Sequence, residues 1–147
     1  MPHIVRSALV PYSAEKMYAL VDNILDYPNF LPWCRHTVEL ARSETEVTAS
    51  IEVAKGGFDK SFTTLNRVIP NRTIEMTLVD GPFKKLHGQW SFQALGDQAS
   101  KVLLDIEFEF SNKLTGMVMG PVFNQAIDSL VDSFVARAQD VYGKAAV

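Results

Sequence analysis

The sequence contains a single cysteine, Cys34, so the chain has no second thiol with which to form an internal disulfide. A lone thiol is typical of a protein in a reducing cytoplasm. No run approaches the ~18 consecutive apolar residues that a membrane-spanning helix needs. The first residues, with Arg6 and then Pro11, lack the apolar core of a signal peptide. These absences predict a cytoplasmic protein without a transmembrane segment.

Residues that could perform chemistry are few and separated. The three histidines lie on different predicted elements, namely at His3, His36 and His87. A metal site instead needs clustered ligands. Asp105, Glu107 and Glu109 alternate with apolar neighbours, which predicts a solvent-facing strand surface rather than an acid–base pair. No base is placed near Cys34, and a small buried thiol is its common role. The sequence therefore predicts no catalytic residue and no metal, and favours a protein that is not an enzyme.

The net charge of −3 does not favour general electrostatic attachment to nucleic acid. The charge is uneven, however, because the segment 53–90 carries six basic and three acidic residues. Its basic residues are Lys55, Lys60, Arg67, Arg72, Lys84 and Lys85. A solvated surface is one explanation of this excess, and a patch that binds an anionic partner is the other. The sequence leaves both open.

Alternation of apolar and polar residues dominates the middle of the chain and predicts half-buried strands. It is clearest over 47–53, 74–78, 86–94 and 102–110, and glycine or proline turns separate these stretches. A first strand over 4–10 and a helix capped by Ser13 precede them. Five or six successive strands with short turns predict an antiparallel sheet with one wet and one dry face. At 147 residues, the chain is predicted to be one α+β domain spanning 1–147.

The stretch 114–142 has apolar residues at steps of three and four, the period of an amphipathic helix. Gly120 and Pro121 interrupt it, so the pattern predicts either a helix that begins at Pro121 or a longer helix with a kink. Gly143 is predicted to be its C-terminal cap. This helix is the only long apolar element that can cover the dry face of the sheet.

The residues predicted to face inward are rich in phenylalanine, methionine and tryptophan. Such residues usually form a packed core. They also suit an adaptable hydrophobic cavity between a sheet and a helix. Composition does not distinguish these two structures, so both remain open at this point.

Three motifs together resemble one family. The first begins with PYSAE at 11–15 and continues into DYPNFLPWC at 26–34. The second is DGPFK at 80–84 with the apolar alternation that follows, and the third is FEFS at 108–111. They resemble the START-like group of coenzyme Q-binding proteins and the bacterial ribosome association toxin RatA, within the polyketide cyclase/dehydrase superfamily. The proteobacterial RatA branch is the most similar. The resemblance implies a helix-grip fold with short N-terminal helices, in which a curved antiparallel sheet wraps around a long C-terminal helix and a hydrophobic tunnel lies between them.

The resemblance also implies a non-enzymatic function and offers two. One is binding of ubiquinone in support of cellular respiration, in the cytoplasm or peripheral to the inner membrane. The other is binding of the large ribosomal subunit, which blocks subunit association and inhibits translation, with a small antitoxin as a further partner. A cyclase-type enzyme ranks third, because few of the inward positions are polar.

Each function predicts its own residues. The hydrophobic tunnel and its mouth are expected to be formed by Phe30, Leu31, Trp33, Phe58, Phe62, Met76, Leu78, Phe83, Leu86, Trp90, Val118, Val122, Ile127 and Leu130. Local packing is the alternative for the mouth residues around Trp33 and Phe83. Contact with ribosomal RNA is expected from the six basic residues of 53–90, because phosphate contacts come first from lysine and arginine.

Overall fold

The computed structural model of the protein describes residues 3–55 and 58–143. The strands are β1 (His3–Val10), β2 (Cys34–Arg42), β3 (Glu46–Lys55), β4 (Phe58–Ile69), β5 (Thr73–Asp80), β6 (Phe83–Ala94) and β7 (Ser100–Phe110). The helices are α1 (Ala14–Asp22), a 3₁₀ helix (Ile24–Asn29), α2 (Lys113–Asp128) and α3 (Leu130–Tyr142). All seven strands join one antiparallel sheet in the order β1-β7-β6-β5-β4-β3-β2. This architecture confirms the predicted α+β class and the helix-grip arrangement.

The sheet has one face covered by helices, called the inner face below, and one outer face. The alternation in β7 is the clearest case, because Val102, Leu104, Ile106 and Phe108 are all buried while the residues between them are half-buried. Strands β1 and β2 lie at opposite edges of the sheet. The chain therefore has to cross between the two edges, and α1 and the 3₁₀ helix make that crossing.

The C-terminal helical stretch begins before Pro121, so of the two predicted alternatives the start at Pro121 is wrong and the longer helix is observed. Helix α2 starts at Lys113, where the Oδ1 of Asn112 accepts a hydrogen bond from the backbone N–H of Thr115 at 2.8 Å. The helix runs through Pro121, which is exposed, so its missing N–H leaves an unpaired carbonyl on the side that water can reach. The interruption falls instead at Ser129, between α2 and α3.

Both predicted caps are present. Ser13 accepts a hydrogen bond from the backbone N–H of Lys16 at 3.1 Å, and Gly143 ends α3 with a φ of 79°. Helix α3 is also tied to the N-terminal part of the chain. The Tyr12 hydroxyl donates to the Gly143 carbonyl at 2.6 Å, and the Tyr142 hydroxyl donates to the Lys16 carbonyl at 2.9 Å. These contacts fix the end of α3 against α1.

A helix can cross a membrane only if it is both long and apolar. Over residues 3–55 and 58–143, none of the helices is both long enough and apolar enough to cross a membrane.

Candidate functional site

A cavity of about 60 Å³ lies between the inner face of the sheet and the helices α2 and α3. Five strands, β3 to β7, contribute to its wall. The loop before β2, the 3₁₀ helix and both C-terminal helices complete it. The lining residues are Ile24, Tyr27, Trp33, Ile51, Phe62, Thr64, Asn66, Met76, Leu86, Trp90, Leu104, Ile106, Phe123, Ala126, Ile127 and Leu130. The wall is therefore mainly apolar, with a small number of polar groups.

Half of the residues predicted for the tunnel line this cavity. They are Trp33, Phe62, Met76, Leu86, Trp90, Ile127 and Leu130. Strands β4, β5 and β6 bring Phe62, Met76 and Leu86 to the inner face, and α2 and α3 contribute Ile127 and Leu130 from the other side.

The other predicted tunnel residues lie elsewhere. Leu31 and Phe83 are buried in the packed core, while Leu78, Val122 and Phe30 are half-buried and pack against it. Val118 was expected in the tunnel, but its side chain is 57% exposed. The reason is the rotation of α2 on the sheet, whose inward side is formed by Met119, Phe123, Ala126 and Ile127. The side chain of Phe58 lies outside the described residues.

The predicted mouth residues make close aromatic contacts. The ring of Phe30 meets the ring of Phe134 at 5.2 Å between centroids, and the Arg137 guanidinium lies 5.1 Å from the Phe30 ring. Phe83 stacks on Phe110 at 5.2 Å and meets Phe123 at 5.0 Å. Phe30 and Phe83 therefore pack against other rings, whereas Trp33 of the first segment lines the cavity.

Glycine at position 81 is required by the turn that precedes Phe83. A Cβ atom built on Gly81 would lie 2.6 Å from the Cβ of Phe62, and the residue has a φ of +148°. Because side chains rarely adopt this backbone conformation, any other residue would be strained as well as crowded. The turn consequently sits directly on Phe62, a residue of the cavity wall.

Several lining residues were not in the predicted set. Ile51, Leu104, Ile106 and Phe123 had a usable signal, since each follows the alternation or helical period that marks inward positions. Thr64 and Asn66 had none. They are polar residues in an irregular stretch of β4, and only the pairing of β4 with β3 and β5 turns them inward.

Besides the indole of Trp90 on β6 and the hydroxyl of Tyr27 on the 3₁₀ helix, which donates to the Val21 carbonyl, two elements contribute polar groups to the cavity wall. Trp33, in the loop before β2, is 9% exposed, and its indole Nε1 is buried without a hydrogen-bond partner among the described residues. On β4, the Thr64 hydroxyl donates to the Oδ1 of Asn66 at 2.8 Å, and both side chains are buried. A neutral ligand with hydrogen-bonding oxygens could bind such a wall, because ligand pockets are typically apolar with a few placed polar groups.

Neither the Cys34 thiol nor the arrangement of metal-ligand side chains in the described residues matches what a catalytic site needs. Burial raises the pKa of the Cys34 thiol to about 11, with a further contribution from the charge of Glu52. The thiol is therefore protonated near neutral pH, whereas a nucleophilic cysteine needs its thiolate form. In the part of the chain that the structure describes, no three histidine, cysteine or carboxylate side chains are grouped as metal ligands.

The six basic residues of 53–90 do not form one patch. Lys55, Lys60, Lys84 and Lys85 lie at the end of the sheet where β3 passes into β4 and β5 into β6, and Arg67 and Arg72 lie towards the opposite end. Along β4, Lys60 and Arg67 are roughly 23 Å apart at ~3.3 Å per residue, and their odd spacing places them on opposite faces. Sequence proximity had suggested a single cluster, but the antiparallel strands carry its members to two ends.

Ion pairs further distinguish these basic residues. Arg67 pairs with Glu46 at 3.2 Å and Lys85 pairs with Glu107 at 3.5 Å. Lys55 donates a hydrogen bond to the Gln125 side chain of α2 at 3.3 Å. Among the described residues, neither Lys60 nor Lys84 has a carboxylate within ion-pairing distance, and both side chains are exposed.

An apolar surface lies on the outer side of α2, at the same end of the sheet as these lysines. Leu114, Met117 and Val118 are 71%, 72% and 57% exposed, and their spacing places them on one side of the helix. The start of α2 is held next to the turn before Lys84, because the backbone N–H of Ser111 donates to the Pro82 carbonyl at 3.0 Å. We call Leu114, Met117 and Val118 with the flanking Lys84 and Lys113 the α2 surface.

The curved antiparallel sheet, its C-terminal helices and the small inner cavity define a START-like helix-grip protein. The chain belongs to the family described as polyketide cyclase/dehydrase and lipid transport, whose profile matches residues 10–135. This match confirms the resemblance inferred from the three sequence motifs.

Relatives with assigned names fall in two groups. The chain is 45% identical over 141 residues to the ribosome association toxin RatA of Pseudomonas aeruginosa, which covers 96% of this chain and 98% of the relative. It is 46% identical over 144 residues to the ribosome association toxin RatA of Vibrio cholerae, covering 98% and 100%. A more distant relative, 27% identical over 136 residues, is the mitochondrial coenzyme Q-binding protein of Dictyostelium discoideum, with 90% and 66% covered.

Solved structures agree with this assignment. An 18 kDa protein from Caulobacter crescentus is 30% identical, with a TM-score of 0.76 and coverage of 98% of this chain and 100% of that one. A Streptomyces aromatase/cyclase has a TM-score of 0.80 over 94% and 93% of the two chains, but only 14% identity. The second likeness shows the fold alone and transfers no activity.

Proposed function

We propose that this protein binds the large ribosomal subunit and interferes with subunit association, in the manner implied by its RatA-named relatives. The observation that carries the proposal is the identity of 45–46% to those relatives over nearly the full length of both chains. The relatives are named as toxins and not as enzymes. A small antitoxin partner, which the resemblance also implies, stays a prediction.

The α2 surface is the region of the molecule that best fits this role. Lys84 and Lys113 can contact phosphate groups, which supply most of the affinity in protein–nucleic acid contacts. Leu114 and Met117 add exposed apolar area between them. A surface of this kind can bind ribosomal RNA through its lysines and a ribosomal protein or an exposed base through its centre.

Co-sedimentation with large ribosomal subunits tests this proposal directly. The double variant Lys84→Glu/Lys113→Glu should lose about tenfold or more in affinity, and the salt dependence of binding should become shallower because fewer phosphate contacts remain. The matched control is Arg67→Glu/Arg72→Glu, which makes the same change in charge at the opposite end of the sheet. Equal losses in both variants would show that only net charge matters. No co-sedimentation of the unchanged protein at low salt would overturn the proposal.

Ubiquinone binding is the second candidate function, and one specific observation favours it. The cavity contains a buried indole N–H without a partner among the described residues, which is a group that a quinone oxygen could satisfy. The coenzyme Q-binding relative from Dictyostelium discoideum supports the same candidate. Supporting respiration as a carrier, and a peripheral position at a membrane, would follow from this function and are proposals with it.

The size of the cavity sets a condition on this second function. At about 60 Å³ it is well below the ~300–1,000 Å³ that is typical of pockets for small organic ligands. A quinone therefore enters only if wall side chains move, and the flexible Met76 is the most adaptable of them.

Extraction of the purified protein with organic solvent, followed by mass spectrometry, tests the quinone candidate. Protein expressed in a quinone-producing cell should carry ubiquinone in a near-stoichiometric amount. A variant with Ala126→Trp, which fills the cavity from α2, should carry much less and serves as the control for lipid bound to the surface. Equal amounts of quinone in both proteins would contradict binding in the cavity.

A further inference from the structure

The indole N–H of Trp33 is buried at the cavity wall, and no described residue accepts a hydrogen bond from it. Leaving a buried donor unpaired is costly, and such groups are rare in folded proteins. A tryptophan used only for packing could be replaced by phenylalanine without this cost. The unpaired donor therefore points to an acceptor that occupies the cavity.

A second polar group on the wall is oriented by a contact within β4. Because the Oδ1 of Asn66 already accepts the Thr64 hydroxyl, the amide nitrogen of Asn66 is the group left for a ligand. No described residue accepts a hydrogen bond from that nitrogen. Both Trp33 and Asn66 thus offer donors, and they do so from two different elements of the wall.

The remaining wall limits the charge of what can bind. None of the described residues that line the cavity carries a charge, so a buried carboxylate, phosphate or ammonium group would be left without a counter-ion. The cavity, at about 60 Å³, is large enough to hold water. Water can satisfy the donors when no ligand is present, and a ligand must replace that water with acceptors of its own.

We infer that Trp33 and Asn66 recognise the carbonyl oxygens of a neutral ring ligand such as a quinone, so that the head group, and not only an apolar tail, determines binding. This inference rests on the ligand-binding function proposed above and specifies its chemistry. Trp33 donates to one carbonyl oxygen, and the Asn66 amide, held by Thr64, donates to a carbonyl oxygen as well. The apolar wall, including Met76 and Leu86, contacts the ring.

A pair of ligands separates the hydrogen bonds from the apolar contacts. Duroquinone is a tetramethylbenzoquinone, and durene is the corresponding tetramethylbenzene without the two oxygens. Calorimetric titration of the full chain should show duroquinone binding at least about tenfold more tightly than durene, since each net hydrogen bond is worth about this factor. In Trp33→Phe the preference should fall about tenfold, because only the Asn66 hydrogen bond remains. Tyr142→Phe, which removes a hydroxyl outside the cavity wall, should keep the full preference.

A measurement on the unchanged protein guards against misfolding of the variants. The chain has two tryptophans, so its NMR spectrum contains two indole N–H signals, and Trp90→Phe assigns them. Duroquinone should move the Trp33 signal downfield, as a hydrogen bond to a carbonyl does, and durene should not.

The possible failures are distinct. Binding of both ligands with equal affinity, or a preference that is undiminished in Trp33→Phe, would overturn the inference while leaving ligand binding in place. Failure of both ligands to bind would overturn the proposed ligand-binding function itself and this inference with it.

Discussion

Helices α2 and α3 follow one another with a single residue between them, yet they contact the rest of the protein in different ways. Helix α3 buries the ring of Phe134 among three other rings, those of Tyr27, Phe30 and Trp90. It also makes polar contacts with the N-terminal part of the chain, including a two-point ion pair between Arg137 and Asp26 at 3.0 and 3.2 Å.

Helix α2 is held by apolar packing together with two polar contacts, an ion pair between Asp128 and Arg6 of β1 and the Lys55–Gln125 hydrogen bond. Its Phe123 contacts an aromatic cluster that includes Phe83, Phe108 and Phe110. Its outer side exposes Leu114, Met117 and Val118, whereas α3 exposes Val141, at 49%. The comparison indicates that α3 mainly stabilises the fold, whereas the outer side of α2 is available for binding.

The largest expected effect is at the centre of α3. Phe134→Ala removes a fully buried ring and leaves a cavity, so the free energy of unfolding should fall by about 3–5 kcal/mol. Equilibrium unfolding in urea measures it. Met117→Ala, on the exposed side of α2, should change the free energy by less than about 0.5 kcal/mol. Losses of unfolding free energy of similar size in the two variants would contradict the difference between α3 and the outer side of α2.

The turn beneath α2 should show the next largest effect. Gly81→Ala combines backbone strain with a clash against Phe62 and should cost about 2–3 kcal/mol. Gly96→Ala is the matched control, because Gly96 also has a positive φ, +107°, but no atom within 4 Å of the added Cβ. It should cost about 1 kcal/mol. Hydrogen exchange should then be faster in α2 than in α3 for Gly81→Ala alone.

The ion pair of α3 should contribute somewhat less. Arg137→Gln leaves Asp26, which is only 19% exposed, without its partner, and the expected loss is about 2 kcal/mol. Arg67→Gln breaks a pair whose side chains are 65% and 46% exposed, and should cost about 0–1 kcal/mol. Thermal and urea unfolding of both variants provide the comparison. If Arg137→Gln left the free energy of unfolding unchanged, apolar packing alone would account for the stability of α3.

The smallest effect on stability is expected on the α2 surface. The free energy of unfolding of the triple variant Leu114→Ser/Met117→Ser/Val118→Ser should differ from that of the unchanged protein by less than about 1 kcal/mol, because all three side chains already contact water. Its co-sedimentation with large ribosomal subunits should nevertheless weaken. Loss of binding with retained stability would sharpen the contrast between the two helices. A variant that is strongly destabilised would instead show that these side chains pack.

Much of the fold could be predicted from local sequence. Alternation identified the inward sides of β3, β6 and β7, because a strand turns every second side chain to the same face. The caps at Ser13 and Gly143 were recognisable from residue type alone. The start of α2 was left open between Pro121 and a point further upstream, because a proline is compatible both with the first position of a helix and with a kink inside one.

The candidate site was less predictable, because its residues meet across distant elements. Val118 has the same apolar character as Ile127, and only the rotation of α2 on the sheet sends one to solvent and the other to the cavity. Thr64 and Asn66 are inward only because of the register of β4. The basic residues were close in sequence, but reversal of the strands separated them in space.

The sequence by itself determined the order and type of the elements and the apolar side of each, since those depend on the periodicity of short segments. Only the tertiary structure decided how completely the helices fill the space over the sheet, and that a tryptophan N–H is left there without a partner among the residues the structure describes. The reason is physical: the volume of a cavity and the pairing of a buried donor depend on the positions of atoms from many segments at once, to within less than the size of a methyl group.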